Sequence, residues 1–215
     1  MKKYMPWFLI VSGFVILILV IFQNMKTTYY QNKIFNEYGK YIEQLKEQEI
    51  PEALDTEIVL TEEEEDSGTD IGKSKDIDFV KRFENNEISG IIEIPKINVR
   101  AAILEGTDDS ALKYTVGHYP QTAQPGENGN CVLLGHRNYV YGHFFRRLDE
   151  LKEGDEVIIK KDENTYTYVI SESFVVSPEE IWVLDNTSDA IITMITCTPM
   201  LTYTDRLIVR GKLIE

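Results

Sequence analysis

The sequence predicts an all-β fold, either a barrel or a sandwich with few helices, behind an N-terminal apolar helix. From residue 82 onward the chain contains seven short runs rich in β-branched and aromatic residues, separated by turn signals. Only one or two helical stretches lie among them. Ahead of these runs come an uncharged apolar segment and then an acidic segment of low hydrophobicity. The 215 residues therefore correspond to one ordinary domain with an N-terminal extension.

The first element is a predicted transmembrane helix over residues 6–22. This run of 17 residues carries no charge, which is the lower limit for crossing a membrane, and Lys2 and Lys3 precede it. No small-residue cleavage site follows, so we expect an uncleaved anchor rather than a signal peptide. The two lysines place the N-terminus in the cytoplasm. Residues 1–25 are thus a cytoplasmic stub with a single-pass anchor, and the rest of the chain is expected to be extracytoplasmic.

Residues 26–78 are predicted to be a stalk and linker. A loose helical pattern over residues 29–50 ends at Pro51, and an acidic stretch rich in Gly and Ser follows. Residues 43–78 hold 14 acids and 3 bases, which is most of the net charge of −14. Such a segment is typical of a solvated spacer, and the acidic balance argues against a nucleic-acid partner.

Residues 79–215 are predicted to form the β domain. Two short helices are expected within it, over residues 111–116 and 143–152. The strand-like runs are GIIEIPKINV, AAILEG, NCVLLGH, DEVIIKK, TYTYVISESFVV, AIITMITC and DRLIVRGKLIE.

Cys197 and His136 are the first candidates for catalysis because each closes an apolar strand. Cys197 is followed by Thr-Pro, and His136 ends the run NCVLLGH. A thiolate nucleophile needs a base or an acidifying neighbour, and an imidazole supplies either. If the two strands are parallel neighbours, their ends lie at one edge of the sheet and the two side chains meet.

The other histidines and the second cysteine are alternatives. His118 lies in a Pro- and Gly-rich loop and His143 near a helix start, so both rank behind His136. Cys131 precedes His136 by five residues, which is about 16 Å along a strand and on the opposite face. A disulfide to Cys197 would require a much shorter distance, so we expect Cys131 to be a core thiol. From position alone, a core role for Cys197 also stays open.

Arg206 is the candidate cation. Only eight residues separate it from Cys197, so a tight connection would make the last strand antiparallel to the cysteine strand. The start of that strand then lies beside Cys197, whereas Arg210 lies about 13 Å further along. We therefore expect Arg206 in the site and Arg210 as a solvent-facing strand residue.

Three motifs in this order resemble those of sortases, the cysteine transpeptidases of Gram-positive cell surfaces. They are GHRN ending one strand, TMITCTP ending another and DRLIVRG opening a third. The family's Thr-Leu-x-Thr-Cys motif is matched by residues 193–197 with Met194 in place of Leu, a nearly volume-conserving change. The resemblance covers roughly residues 82–215. Among the sortase classes, the sequence resembles class D most, with class E and pilus-type relatives as alternatives.

The resemblance implies an eight-stranded β-barrel and a transpeptidation. It implies that Cys197 attacks the Thr–Gly bond of an LPxTG-like sorting signal and forms a thioacyl enzyme. His136 then transfers protons and Arg206 holds the substrate or steadies the oxyanion, while Thr196 is expected to shape the substrate groove. The implied partners are proteins with such a signal and an amine of a peptidoglycan precursor, or of a pilin in pilus-type enzymes.

The resemblance also bears on cofactors and on competing functions. We expect no cofactor; some class A members bind calcium, but residues 177–189, the expected signal-reading loop, show no convincing ligand set. One competing function is a cysteine hydrolase with the same three residues and water as acceptor. The other is a catalytically silent surface protein in which Cys197 is only a core residue.

Overall fold

The computed structural model describes residues 5–48, 87–137 and 144–214, and its main feature is a closed barrel of eight strands. The helices are α1 (Met5–Gln48) and α2 (Asp109–Tyr114); the strands are β1 (Ile88–Ile94), β2 (Val99–Glu105), β3 (Val116–His118), β4 (Gly129–Leu134), β5 (Glu156–Lys161), β6 (Asn164–Val176), β7 (Ala190–Thr198) and β8 (Asp205–Leu213). Single 3₁₀ turns cover Pro95–Ile97, Leu148–Glu150 and Ile181–Leu184.

The strand order around the barrel is β1-β2-β3-β4-β7-β8-β6-β5. Two neighbouring pairs are parallel, β2 with β3 and β4 with β7, and the other pairs are antiparallel. The predicted all-β fold and the eight-stranded barrel are therefore confirmed.

The barrel core is built from alternate residues of the strands, as expected where one face of a sheet is buried. Leu133 of β4 and Met194 of β7 lie in this core, and their sequence neighbours face outward. A second apolar cluster lies on the outer face, beneath the segment that links β6 to β7. Its buried members are Val132, Val183, Ile195 and Ile208.

Helix α1 extends from the predicted anchor into the predicted stalk without a break. Its side chains at Ile34 and Tyr38 are buried, and Ile34 packs with residues of β2 and α2. The hydroxyl of Tyr38 accepts a hydrogen bond of 2.8 Å from the backbone N–H of Asp162, in the turn between β5 and β6. This part of the predicted stalk therefore rests on the barrel.

The structure differs from the predicted short elements in two places. The helix expected over residues 111–116 ends at Tyr114, and the chain then forms the short strand β3, so His118 lies on a strand rather than in a loop. Of the helix expected over residues 143–152, the described part is turns and one 3₁₀ turn. Phe144 and Phe145, at the start of this described part, are both buried in the barrel core.

Among the described residues, no helix is both long enough and apolar enough to cross a membrane. The prediction of a transmembrane helix over residues 6–22 is therefore not confirmed. The acidic linker and the domain boundary at residue 79 lie outside the described residues, and so does His143.

Candidate active site

Cys197 and Arg206 are direct partners across two antiparallel strands. The register of β7 and β8 pairs Cys197 with Arg206 and Thr198 with Asp205. Cross-strand partners point to the same face of a sheet and lie within about 5.5 Å between Cβ atoms. Cys197 shares its face with Ile195, and Arg206 shares its face with Ile208, so both lie above the outer apolar cluster. The predicted pairing of the thiol with Arg206 is what the fold produces.

His136 reaches the same place from the other side of β7. The parallel register of β4 and β7 ends with Leu134 opposite Ile195, and the N–H of Gly135 continues it with a 3.2 Å bond to the carbonyl of Ile195. His136 follows Leu134, the last residue of β4, by two residues, and Cys197 follows Ile195 by two residues on β7. The two strands are parallel neighbours, which is the condition under which their ends meet, and they deliver the imidazole and the thiol to one end of the sheet.

The exposure of these residues suits a reactive site. Cys197, His136 and Arg206 are each partly exposed, at the margin of the barrel rather than in its core. Burial lowers the pKa of His136, and the negative charge of Asp109 at the start of α2 opposes that shift. The neutral imidazole is therefore favoured, and this is the form that accepts a proton.

Arg206 is held by backbone oxygens of the β7–β8 connection. Its Nη1 donates to the carbonyls of Asp205 at 3.0 Å and Tyr203 at 3.3 Å. The guanidinium is thus tied to the loop immediately after the cysteine strand. A permanently charged fork fixed in this way can donate to a carbonyl or an oxyanion beside Cys197.

Thr196 is placed differently from expectation. Its side chain is buried, and its hydroxyl donates a 2.7 Å bond to the carbonyl of Gly135. Adjacent residues of a strand face opposite sides, so Thr196 points away from the face that Cys197 occupies. Thr196 does not line an outer groove in this structure, and its contact instead joins the end of β4 to β7.

Arg210 is not the solvent-facing residue that the sequence suggested. Its guanidinium lies 5.4 Å from the ring centroid of Phe174 and 5.3 Å from that of Trp182, and these two rings stack on each other. It also donates to the carbonyl of Val183 and to the hydroxyl of Thr193, both at 3.3 Å. Arg210 therefore fastens the 3₁₀ turn between β6 and β7 to the barrel.

Asn130 fastens the same segment, a role that was not predicted from the sequence. Its fully buried amide donates to the carbonyls of Val183 and Asp185, both at 3.0 Å, and accepts a 2.6 Å bond from Thr193. The available signal was an asparagine at the start of the apolar run NCVLL, since a buried amide must find partners. Residues 177–189, the expected signal-reading loop, are thus anchored from beneath.

The orientation of the His118 ring excludes this residue from the candidate site. It pairs with Leu133, a core residue, so its ring points to the inside of the barrel, where it is fully buried. Its Nδ1 lies 2.9 Å from a carboxylate oxygen of Glu105, and its Nε2 lies 2.9 Å from the carbonyl of Ala123. Both ring nitrogens are engaged within the barrel, which favours His136 as the residue that faces Cys197.

Glu105 is the centre of a hydrogen-bonded cluster with His118, Gln124 and Ser89, and these bonds change its pKa. Burial by itself would raise the pKa of Glu105, but hydrogen bonds from His118, Gln124 and Ser89 outweigh it and lower the pKa to about 2. The carboxylate accepts from the hydroxyl of Ser89 at 2.6 Å and from the amide of Gln124 at 2.8 Å. The cluster ties β2 to the connection between β3 and β4.

Cys131 is a core thiol, as expected. It is fully buried in the barrel core, and neither cysteine forms a disulfide. Burial, together with the negative charge of Glu105, raises the pKa of Cys131 far above its ordinary value. It pairs with Ile192, five residues before Cys197 on β7, and so lies well below the candidate site. The chain therefore presents one accessible and one inert thiol.

Within the part of the chain that the structure describes, no group of three or more His, Cys, Asp or Glu side chains is arranged to hold a metal ion.

The family model for the sortase domain matches residues 92–214, which is more than half of the chain. The chain belongs to the sortase family. Sortases are cysteine transpeptidases, and the thiol, imidazole and guanidinium assembled at the ends of β4, β7 and β8 fit that chemistry. The family predicted from the three motifs is confirmed.

Similar proteins include sortases of several types. Sortase D of Bacillus subtilis is 34% identical over 201 residues, covering 93% of this chain and 90% of that protein. Sortase SrtE1 of Streptomyces coelicolor is 33% identical over 149 residues, but only 42% of that protein is covered. Among solved structures, a Clostridium perfringens Sortase D5 transpeptidase matches with a TM-score of 0.56 and 37% identity, over 65% of this chain and 89% of that one.

The two thiols of this sortase should differ sharply toward an alkylating reagent. Iodoacetamide at neutral pH is expected to modify Cys197 at least about tenfold faster than Cys131, because reaction requires an accessible thiolate. Peptide mapping by mass spectrometry after timed quenching measures both rates. Equal labelling in the folded protein, or faster labelling of Cys131, would contradict the assignment of the accessible thiol.

The Glu105 cluster should stabilise the fold in a pH-dependent way. Because the pKa of Glu105 is lower in the folded than in the unfolded chain, its contribution is fully present above about pH 4.5 and is lost as the pH falls toward 2. Glu105→Gln is therefore expected to be less stable than wild type at pH 7, with the difference narrowing below pH 4.5. Urea unfolding at several pH values measures this. Glu163→Gln, in an exposed turn, is the control and should stay close to wild type throughout; a constant gap for Glu105→Gln would contradict the prediction.

Proposed function

We propose that this sortase cleaves an LPxTG-like sorting signal between Thr and Gly and transfers the new carboxyl end to an amine. The observation that supports this most is the register: Cys197 pairs with Arg206 on β8, and the parallel pairing of β4 with β7 brings His136 level with the thiol. One nucleophile, one proton carrier and one permanent cation at a single margin of the barrel are sufficient for acyl transfer.

The first half of the reaction forms a thioacyl enzyme. The Sγ thiolate of Cys197 adds to the threonine carbonyl carbon, and the carbonyl electrons move to oxygen. When they return, the C–N bond to glycine breaks, and the ring of His136, which accepted the thiol proton of Cys197 as the thiolate formed, gives that proton to the leaving amine. The second half runs in reverse order with a new amine, whose proton passes to the neutral ring of His136 as the C–S bond breaks and the thiolate is restored.

Arg206 stabilises the negative charge that develops on the carbonyl oxygen or holds the neighbouring peptide. Its guanidinium is charged at every relevant pH and is tied to backbone oxygens of the β7–β8 connection. The outer apolar cluster beneath Cys197 provides a floor for the apolar residues of the signal, and the anchored segment 177–189 lies over it.

The proposed partners are proteins that carry the signal and a peptidoglycan precursor that supplies the amine. An amine of another protein, as in pilus-type sortases, and water are the competing acceptors. The catalytic residues of this proposal use no cofactor.

The proposal includes attachment to the cell membrane through the first part of α1, with the barrel on the outer side of a Gram-positive cell. Residues 6–22, which lie after Lys2 and Lys3, carry no charge, and large apolar side chains such as Trp7, at 73% exposed, are uncovered on this helix. An exposed apolar surface of this extent is typical of contact with lipid or with another protein.

Transpeptidation is tested by incubating the full chain with a fluorescent LPxTG peptide, with and without triglycine, followed by mass spectrometry. We expect a triglycine adduct that requires the added amine. Cys197→Ala should abolish turnover, and His136→Ala should lower kcat by about 10²- to 10⁴-fold because proton transfer to and from the amine is lost. His143→Gln is the matched control and should retain activity. If the product is the free acid whether or not triglycine is present, the chain is a hydrolase; if His143→Gln rather than His136→Ala is inactive, the proton carrier is wrongly assigned.

Membrane attachment is tested by fractionating cells that produce the full chain. Wild type should sediment with membranes and resist extraction by high salt, whereas Ile16→Lys/Leu19→Lys, with two charges in the apolar run, should move largely to the soluble fraction. Asn32→Lys, an exposed position further along α1, is the control for added charge. Soluble wild type, or a double variant that still sediments, would refute the anchor.

A further inference from the structure

The ends of β4 and β7 are joined by side chains on both sides of the His136–Cys197 pair. Before the pair, Thr196 donates to the carbonyl of Gly135 at 2.7 Å. After the pair, Nη1 of Arg137 donates to the hydroxyl of Thr198, also at 2.7 Å. The histidine and the cysteine are therefore flanked, one residue away on each chain, by direct cross-links between the strands that carry them.

Arg137 is held in three directions at once. Besides its bond to Thr198, its Nε donates to the carbonyl of Arg146 at 3.3 Å, and its Nη2 lies 2.7 Å from a carboxylate oxygen of Asp149. Its side chain is only 6% exposed, whereas Asp149 is half exposed. The guanidinium thus connects both strand ends to the segment that follows the end of β4, close to the 3₁₀ turn Leu148–Glu150.

A buried guanidinium with this set of partners is a rigid connector. Its nitrogens lie in one plane with fixed directions, so three acceptors fix its position and orientation. A buried cation that loses its partners is costly, so the contacts are maintained together rather than one at a time. Lysine carries the same charge but has a single nitrogen on a flexible chain and cannot reproduce the fork.

We propose that Arg137 is a positioning residue of this sortase. Arg137 follows His136 directly and binds Thr198, which follows Cys197 directly, and this bond fixes the distance and angle between the His136 ring and the Cys197 thiol. The proposal rests on the proposed roles of Cys197 and His136. It goes beyond them because Arg137 acts through its neighbours: its side chain is buried, and its Nε, Nη1 and Nη2 are already bound.

Loss of the clamp should affect the chemical step more than substrate binding. Proton transfer and nucleophilic attack depend steeply on geometry, and a displacement of about 1 Å costs on the order of 10²-fold in rate. The outer apolar cluster lies on the opposite face of these strands from Arg137 and Thr198, so binding of a peptide there should change little. The expected signature is therefore a fall in kcat at nearly constant KM.

The test compares Arg137→Ala, Arg137→Lys and Thr198→Val with Arg147→Ala in the full chain. Arg147 is the matched control because its guanidinium pairs with Glu150 at 2.6 Å and donates to the carbonyl of Ile97 at 3.4 Å, without a contact to either strand end. Two readouts are used, with circular dichroism to check folding. They are kcat and KM for an LPxTG peptide with triglycine, and the rate of iodoacetamide alkylation of Cys197 as a function of pH.

Arg137→Ala is expected to lower kcat by about 100-fold with KM within threefold of wild type, and to shift the pH profile of Cys197 alkylation. Arg137→Lys should remain at least tenfold below wild type in kcat, and Thr198→Val, which removes only the hydroxyl acceptor, should lower kcat about tenfold. Arg147→Ala should match wild type in both readouts.

Three results would overturn the proposal. The first is wild-type kcat and alkylation profile in a folded Arg137→Ala, or, should that variant not fold, in Thr198→Val. The second is full recovery of kcat in Arg137→Lys, because charge alone would then suffice. The third is an equal effect of Arg147→Ala. Failure of the proposed function looks different: wild type itself would give no transpeptidation, while the alkylation profile would still report on the clamp.

Discussion

The parallel pairing of β4 with β7 is the constraint on which the candidate site depends. Six consecutive residue pairs fix this register, from Gly129 with Ala190 to Leu134 with Ile195. A slip by one residue would turn the side chain of Cys197 to the interior of the barrel and that of Thr196 to the outer face. Gly135 lets the pairing finish close to Phe145, because a Cβ at this position would come within 2.6 Å of that ring. The packing of Phe145 at this end of the barrel and the alignment of Cys197 with His136 therefore depend on the same residue, Gly135.

Polar residues beneath segment 177–189 hold this segment in place, and the segment forms a wall on the outer face of the barrel. Asn130, Thr193 and Arg210 form a connected set of hydrogen bonds that ends on backbone carbonyls of this segment. Asn130 and Thr193 are fully buried, so breaking one contact would leave a polar group without a partner at a cost of about 1–3 kcal/mol. The shape of this wall is thus coupled to the stability of β4, β7 and β8, and a change in one affects the other.

Local pattern was enough to predict much of this arrangement. The apolar runs predicted most of the strands. The short connection of eight residues between Cys197 and Arg206 predicted that the strands of these two residues are antiparallel neighbours. Strand β3 was missed because three residues carry no period-two signal, and His118 was therefore placed in a loop. Thr196 could have been placed correctly, since residues next to each other on a strand face opposite sides. The packing of Arg210 against Phe174 and Trp182, and of α1 against the barrel, depends on contacts distant in sequence that no local pattern contains.

Closure of the barrel limits how an extended peptide can be recognised. Each of the eight strands has a neighbour on both sides, but the pairing is not continuous: β5 pairs with β6 only as far as Val169, so the strand pairing places residues 172–176 of β6 against β8 alone. An added strand could therefore gain main-chain hydrogen bonds only at such an open stretch, and it could not do so where a strand is paired on both sides. Elsewhere on the barrel, contacts to an extended peptide have to come from side chains and loops. Closure of the barrel thus confines strand addition to the few stretches where the pairing of neighbouring strands ends.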